Sequence, residues 1–546
     1  MLALAAAPHA LGDVFVPADP AAPRALGSVR CVTGAGDVLV YQRDERGGPF
    51  PPTAAELDAG PAQRYTLAHQ HRLSSCPTAA AAADGTAVAG FVAAPGASAV
   101  PRIAVRPSGG RFGGPLSVAL PGASALTPAV AAAPGGWVAA ALVQATRAHR
   151  SEVAARVVAP DGTPRNVVID AGTASATEYS PPRVGIDSSG AATVAWTRWS
   201  STGERLSDER VRVARSAPGA TAWEPTRELG GGRRLADAPT APTHVGLAVA
   251  PAGRVLAAWS TASGVSAVEG AAAGLGPATA LASGAGIASP EVALADDGAA
   301  VVAYSQSDDP AAIFVVHRAA GGPWSAARLS GAPAHEGGDP PEGRPIIEDR
   351  AVSVPTALAS DGRAIVAWRV RETVSVTNRV VAAAGRAGGA WEPVLALSVP
   401  TRDTVGTPSA FLGAAGDPRV AWIEDSLGPR GRLRADRLVA DVDAGPADTA
   451  APVLTVALPQ TLRVSRRGRV APLRLKVRCS ERCDVRGELG DAIAHRAIAV
   501  GGAALLRFGP TVLVDPGVRH LRLRVMAADR AGNVTVRSRL VAVARR

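Results

Sequence analysis

Residues 290–304 read Pro290-Glu-Val-Ala-Leu-Ala-Asp-Asp-Gly-Ala-Ala-Val-Val-Ala-Tyr304. Nearly the same phrase returns as Pro182-Arg-Val-Gly-Ile-Asp-Ser-Ser-Gly-Ala-Ala-Thr-Val-Ala-Trp196 and as Pro355-Thr-Ala-Leu-Ala-Ser-Asp-Gly-Arg-Ala-Ile-Val-Ala-Trp368. Each copy holds two apolar runs that alternate as half-buried strands do. Between them lies a turn whose glycine takes the positive φ that a tight hairpin needs. Eight copies, 45 to 64 residues apart, are legible between about residues 28 and 440. They close at Tyr41, Phe91, Leu142, Trp196, Trp259, Tyr304, Trp368 and Trp422.

A second marker follows 20 to 27 residues after the first, at Phe112, Trp223, Trp324 and Trp391. Seven of the nine tryptophans therefore fall on two repeat positions, which assigns them to packing rather than to a ligand platform. The remaining length of each unit leaves room for two further short strands. Four-stranded units repeated radially make a β-propeller, whereas units of about 50 residues are too small to bury separate sandwich cores. The expectation is an all-β chain with a single propeller of seven or eight blades over residues 13–440. The first copy lacks a clear second marker and the last ends near Ala440, so the stretch from Val14 to Leu26 is expected to supply the missing outer strand and close the ring.

At residues 441–452 the composition turns small, acidic and proline-rich, which reads as a linker. Beyond it Leu473, Leu475, Val477 and Cys479, and later Leu521, Leu523 and Val525, alternate again. Residues 453–546 are expected to form a second all-β domain, a small sandwich. Its ending, Ala527-Ala-Asp-Arg-Ala-Gly-Asn533, and its approach, Asp448-Thr-Ala-Ala-Pro452, resemble bacterial immunoglobulin-like (Ig-like) domains. The resemblance implies an extracellular spacer or adhesion unit without catalytic residues. The repeat units resemble the sialidase-like (BNR or Asp-box) group of secreted bacterial propellers through turns such as Asp297-Gly298 and Asp361-Gly362. A sialidase also needs an arginine triad and a tyrosine activated by a glutamate, and no stretch of this sequence supplies that set.

Cysteines 31 and 76 stand one repeat apart, and Cys479 and Cys483 end one alternating run and begin another. Even, domain-matched pairs are expected as disulfides, Cys31–Cys76 and Cys479–Cys483, in an oxidising compartment. The opening Met1-Leu-Ala-Leu-Ala-Ala-Ala-Pro-His-Ala10 reads as a truncated signal peptide over residues 1–12. No apolar run reaches the roughly 20 residues that span a bilayer. Together these favour a secreted or envelope-associated monomer. The net charge of +10 comes from arginine, with Lys476 the one lysine, and the arginines are spread over all the blades. That argues against specific nucleic-acid binding and for loose, salt-sensitive attachment to anionic envelope polymers.

Insertions in repeat proteins map to loops on one face, often the binding face, and two stretches depart from the repeat. One holds Trp199, Glu204, Asp208 and Glu209; the other holds His335, Glu336, Asp339, Glu342, Glu348 and Asp349. These ten are the candidate ligand-binding residues. Neither stretch has the ligand spacing of a calcium loop, and the sequence holds no hydrolase elbow, phosphate loop or zinc-protease helix motif. No catalytic residue, metal or cofactor is assigned. The leading expectation is a noncatalytic propeller that binds a protein partner or an envelope carbohydrate through blade-edge loops, with the Ig-like module as spacer or adhesion unit. The alternatives are a sialidase-like hydrolase working through the acidic insertions and a purely structural envelope component.

Overall fold

The computed structural model describes residues 12–17, 28–44, 52–56, 64–67, 76–93, 100–119, 124–125, 127–145, 151–171, 177–202, 205–231, 244–271, 274–284, 287–306, 312–329, 345–346, 354–372, 377–392, 394–397, 407–413, 416–424, 432–442, 452–466, 468–480, 483–489, 492–498, 502–508, 514, 517–528 and 534–545. Apart from one 3-10 turn at Pro218–Ala220, the regular structure among these residues is all strand.

Eight antiparallel sheets of four or five strands follow one another along residues 12–442. Their second strands are Val38–Asp44, Ala87–Ala93, Trp137–Ala145, Ala192–Thr202, Val255–Thr261, Ala300–Gln306, Arg363–Glu372 and Pro418–Glu424. The repeat position, aromatic in seven sheets and Leu142 in the third, lies on each of these strands, and all eight residues are between 0 and 4% exposed. Burying one such side chain contributes about 1.5–3 kcal/mol, so the repeated aromatic is a large share of what holds each sheet to its neighbours. First strands of successive sheets touch one another in order, from Ser28–Ala35 round to Ser409–Leu412, which returns to Ser28–Ala35. A series of up-and-down sheets closing on its own beginning is a propeller arrangement.

The ring is closed by the chain's early strand. Gly12–Pro17 pairs antiparallel with Arg432–Val442, Phe15 standing opposite Leu438. This is the outer strand expected upstream of the first repeat; residues 18–26 of that stretch lie outside the described residues.

Proline and glycine act at opposite ends of each first strand. Proline donates nothing to a ladder, so the first strand is split around Pro128 and around Pro181 and Pro182, and its register slips between Ala288 and Glu291 at Pro290. At the other end Gly85, Gly190, Gly253, Gly298 and Gly362 all take φ between 77° and 92°. In the second sheet the Gly85 amide donates to the Ala82 carbonyl at 3.0 Å and the Ala82 amide to the Thr86 carbonyl at 2.8 Å. That is a three-residue hairpin with its last residue left-handed. The turn aspartates are spent on this geometry. Asp84 accepts from the Thr86 amide at 2.9 Å and from the Gly135 amide of the next sheet at 2.8 Å. Burial pushes its pKa up, but those two amides outweigh burial and hold the carboxyl below the ordinary range.

Residues 443–546 belong to a separate compact unit. A three-stranded sheet (Leu454–Val456, Leu473–Cys479, Ala503–Phe508) and a five-stranded sheet share one core, in which Leu475, Val477 and Phe508 of the first meet Val485, Leu523 and Val525 of the second. Two sheets on one core make a sandwich. Thr461–Val464 joins its edge in parallel with Val534–Arg545. The boundary differs slightly from the sequence expectation: residues 441 and 442 still belong to the ring's last strand, because pairing with Gly12–Pro17 extends it to Val442. Both expected disulfides form, Cys31–Cys76 with 5.7 Å and Cys479–Cys483 with 6.5 Å between Cα atoms. The first joins sheets one and two of the ring, and the second joins the two sheets of the sandwich.

Candidate functional site

Each sheet has a turn end, where the Asp-Gly hairpins lie, and a crossover end, where the chain passes to the next sheet. The crossover end also carries the hairpin between second and third strands. Both insertions singled out in the sequence belong there. The first is a prolongation of the fourth sheet: Ala192–Thr202 and Arg205–Arg215 are 11 residues each, against 7 for Val255–Thr261. The second is anchored by Leu329, whose amide donates to the Ile313 carbonyl at 2.8 Å, and by Val354, which is fully buried. Its residues His335, Glu336, Asp339, Glu342, Glu348 and Asp349, together with Glu204 of the first insertion, lie outside the described residues.

Three candidates are brought together. Arg198 pairs with Arg210 and Ser200 with Ser207, so Trp199 alone faces the two residues Asp208 and Glu209. This is a β-bulge, a device that bends a strand and re-aims its side chains, common beside binding and active sites. On its other side Trp199 pairs with Glu178 of Thr177–Tyr179. The Trp199 ring is 6% exposed, and its indole N–H meets no acceptor among the described residues. Trp199 is thus an internal part of the hairpin's root rather than an open stacking surface.

Below the hairpin root lies a buried polar cluster that the sequence reading missed. Asp170, at the end of Pro164–Ala171 in the third sheet, accepts hydrogen bonds from the Tyr179 hydroxyl, the Trp196 indole N–H and Arg212, each at 3.2 Å. Burial, and then the Asp170 carboxylate, raise the Tyr179 pKa well above the ordinary phenol value. A tyrosine held this firmly in its neutral form is a poor nucleophile, and the carboxylate beside it is already occupied by three donors. The cluster ties sheet three to sheet four. A signal for it exists in the repeat, since the equivalent position of the next unit is Gly230, which packs against Trp259.

A second unrepeated set stands where first strands begin. Arg183 of the fourth sheet forms an ion pair with Glu291 of the sixth, and the fifth sheet comes close to the sixth at Gly246, where a Cβ would lie 2.4 Å from the Pro290 carbonyl oxygen. His244 stands beside the pair. Burial, followed by the Arg183 guanidinium, lowers its pKa, with Glu291 acting the other way.

At the turn end, arginines of the third strands clasp carboxylates and carbonyls. Arg106 pairs with Asp37 of the preceding sheet and donates to the Gly85 carbonyl at 3.1 Å. Arg318 meets Glu269 of the preceding sheet at 2.5 Å and stacks over Trp324. Among the described residues no group of three or more His, Cys, Asp or Glu is placed to hold a metal ion, and no helix is long and apolar enough to cross a membrane.

No protein-family model matches the chain, and no curated protein matches it. Solved structures match it at low identity. The WD40 domain of SCAP from fission yeast is 9% identical over 79% of this chain and 99% of its own, with a TM-score of 0.41. A polysaccharide lyase described as a PL25 ulvan lyase is 10% identical over 70% of this chain and 96% of its own, with a TM-score of 0.38. A protein of unknown function from Dyadobacter fermentans is 14% identical over 59% of this chain and all of its own, with a TM-score of 0.34. At these scores the likeness carries no functional information, and the fold assignment rests on strand order.

Proposed function

We propose that the chain is a secreted, noncatalytic, eight-bladed β-propeller that holds a protein or carbohydrate ligand of the cell envelope at its crossover end, followed by an Ig-like module. The observation that carries this reading is the bulged hairpin of the fourth sheet, which sets Asp208 and Glu209 opposite Trp199 at the same end as the second insertion's anchors. A binding reading is favoured over a hydrolytic one because the buried Asp170 and the partly exposed Glu291 are both engaged by arginine. The two disulfides support an oxidising, extracellular setting. The sandwich of three and five strands supports the Ig-like assignment made from the Asp529-to-Asn533 ending.

The test is capture from a glycan array and from native envelope extract at about 0.5 M salt, where contacts made by surface charge alone are screened. The double variant Asp208→Asn/Glu209→Gln is expected to lose at least tenfold in capture while unfolding at the parent's temperature, and Trp199→Phe to lose less. Equal capture by the parent and the double variant would overturn the assignment of the site to this hairpin.

A further inference from the structure

Charge is divided unevenly along the chain. Residues 451–546 hold nineteen Arg and Lys against six Asp and Glu, a net +13, while residues 1–450 hold 38 against 41, a net −3. The positive charge of the whole chain therefore resides in the sandwich, which corrects the reading of arginines as merely spread over the blades.

Within the sandwich the strand Leu473–Cys479 alternates strictly. Leu475, Val477 and Cys479 are buried in the core, and Arg474, Lys476 and Arg478 are exposed on the outer face of the three-stranded sheet. On the neighbouring strand Arg507, also exposed, stands directly opposite Arg474, and Leu505 stands opposite Lys476. Thr455 of the third strand stands opposite Arg478. The three strands contain no Asp or Glu. None of the four cations has an ion-pair partner among the described residues. Alternate residues of a strand lie about 6.8 Å apart, so the row is a ladder of positive charge. Like charges directly opposite across two strands destabilise the pair, and nothing in this sheet offsets that cost.

We propose that this face binds a linear polyanion of the cell envelope, a polymer whose negative charges recur along an extended chain. The proposal goes beyond the ligand site at the propeller's crossover end and gives the sandwich an anchoring role of its own. Nucleic acid fits less well. Residues 451–546 contain no Trp or Tyr, and their one Phe, Phe508, is buried, so the stacking surfaces that hold single-stranded bases are missing. Recognition here is by charge, with affinity that falls as salt rises because bound counterions are released.

The experiment measures retention of the full chain on immobilised poly(glycerol phosphate) and on polygalacturonate across a salt series, with single-stranded DNA as competitor. The variant Arg474→Gln/Lys476→Gln/Arg478→Gln/Arg507→Gln is expected to bind at least tenfold more weakly at low salt, with a log–log salt slope shallower by roughly 3. A companion set with lysine at the three arginine positions keeps the parent's retention, which separates lost charge from lost fold. The glutamine variant is expected to keep the parent's capture through the crossover end at about 0.5 M salt, where surface charge is screened, so this proposal and the one for the crossover end fail separately. Parental affinity and slope in the glutamine variant overturn the proposal, as does DNA displacing the protein at lower concentration than either polymer does.

Discussion

In the ring, four arginine side chains end on carboxylates: Arg106 on Asp37, Arg212 on Asp170, Arg318 on Glu269 and Arg419 on Asp417. In the sandwich, Arg474, Lys476, Arg478 and Arg507 end in solvent beside one another. The same residue type thus does two jobs. Where it bridges neighbouring sheets it belongs to the fold, and changing it alters stability. Where it lines an outer face with no counter-charge, surface electrostatics contribute little to folding, and changing it alters what the surface attracts.

The largest expected effect is on the ring's repeated aromatic. Trp368→Ala removes a side chain that is 1% exposed and is expected to cost about 3–5 kcal/mol in denaturant unfolding. The disulfides separate the two regions next. Cys31–Cys76 closes a span of 45 residues and Cys479–Cys483 a span of 4. By the loop-closure argument, replacing the first pair by serine costs about 4 kcal/mol and the second about 2. Equal losses would show that the ring gains nothing from the longer loop.

Asp170→Ala leaves the Tyr179 hydroxyl, the Trp196 indole and Arg212 without their shared acceptor, and is expected to cost about 2–3 kcal/mol. No change in stability would mean that the cluster is not the clasp between sheets three and four. A smaller effect is pH dependence. His317 is 3% exposed, and its Nδ1 accepts from the Gly388 amide at 2.9 Å, joining sheets six and seven. Burial lowers its pKa. The unfolded imidazole takes up a proton near pH 6.5 while the folded one resists, so the unfolded state binds more protons below that pH. Stability is complete above about pH 6.5 and declines as pH falls towards the folded value. His317→Gln is expected to flatten the decline, and His244, shifted in the same direction, contributes to what remains. A decline as steep as the parent's in His317→Gln would remove His317 from the account.

The propeller was legible because its repeat is enforced by packing: an aromatic that must be buried, a glycine that must take positive φ, a proline that ends pairing. Those constraints recur at fixed positions, so eight copies reinforce one another, and even the closing strand followed from an outer strand that the last unit lacked. The candidate site residues were harder to find because they depart from the repeat singly. Trp199, Asp208 and Glu209 stood out as an insertion, yet their meeting in a bulge depends on a register shift that no sequence period encodes. Asp170 and Tyr179 were missed because their partnership spans two units. The sandwich's charge was in the sequence throughout, hidden by an average taken over the whole chain.

The division between engaged and free arginines is tested most directly by one comparison on immobilised poly(glycerol phosphate). The salt concentration that elutes the parent is set against that for a ring variant, Arg106→Gln/Arg318→Gln, and for the sandwich variant Arg474→Gln/Lys476→Gln/Arg478→Gln/Arg507→Gln. The ring variant is expected to elute with the parent and to melt earlier, and the sandwich variant to elute at clearly lower salt and to melt no earlier than the parent. Early elution of the ring variant with unchanged elution of the sandwich variant would contradict the division.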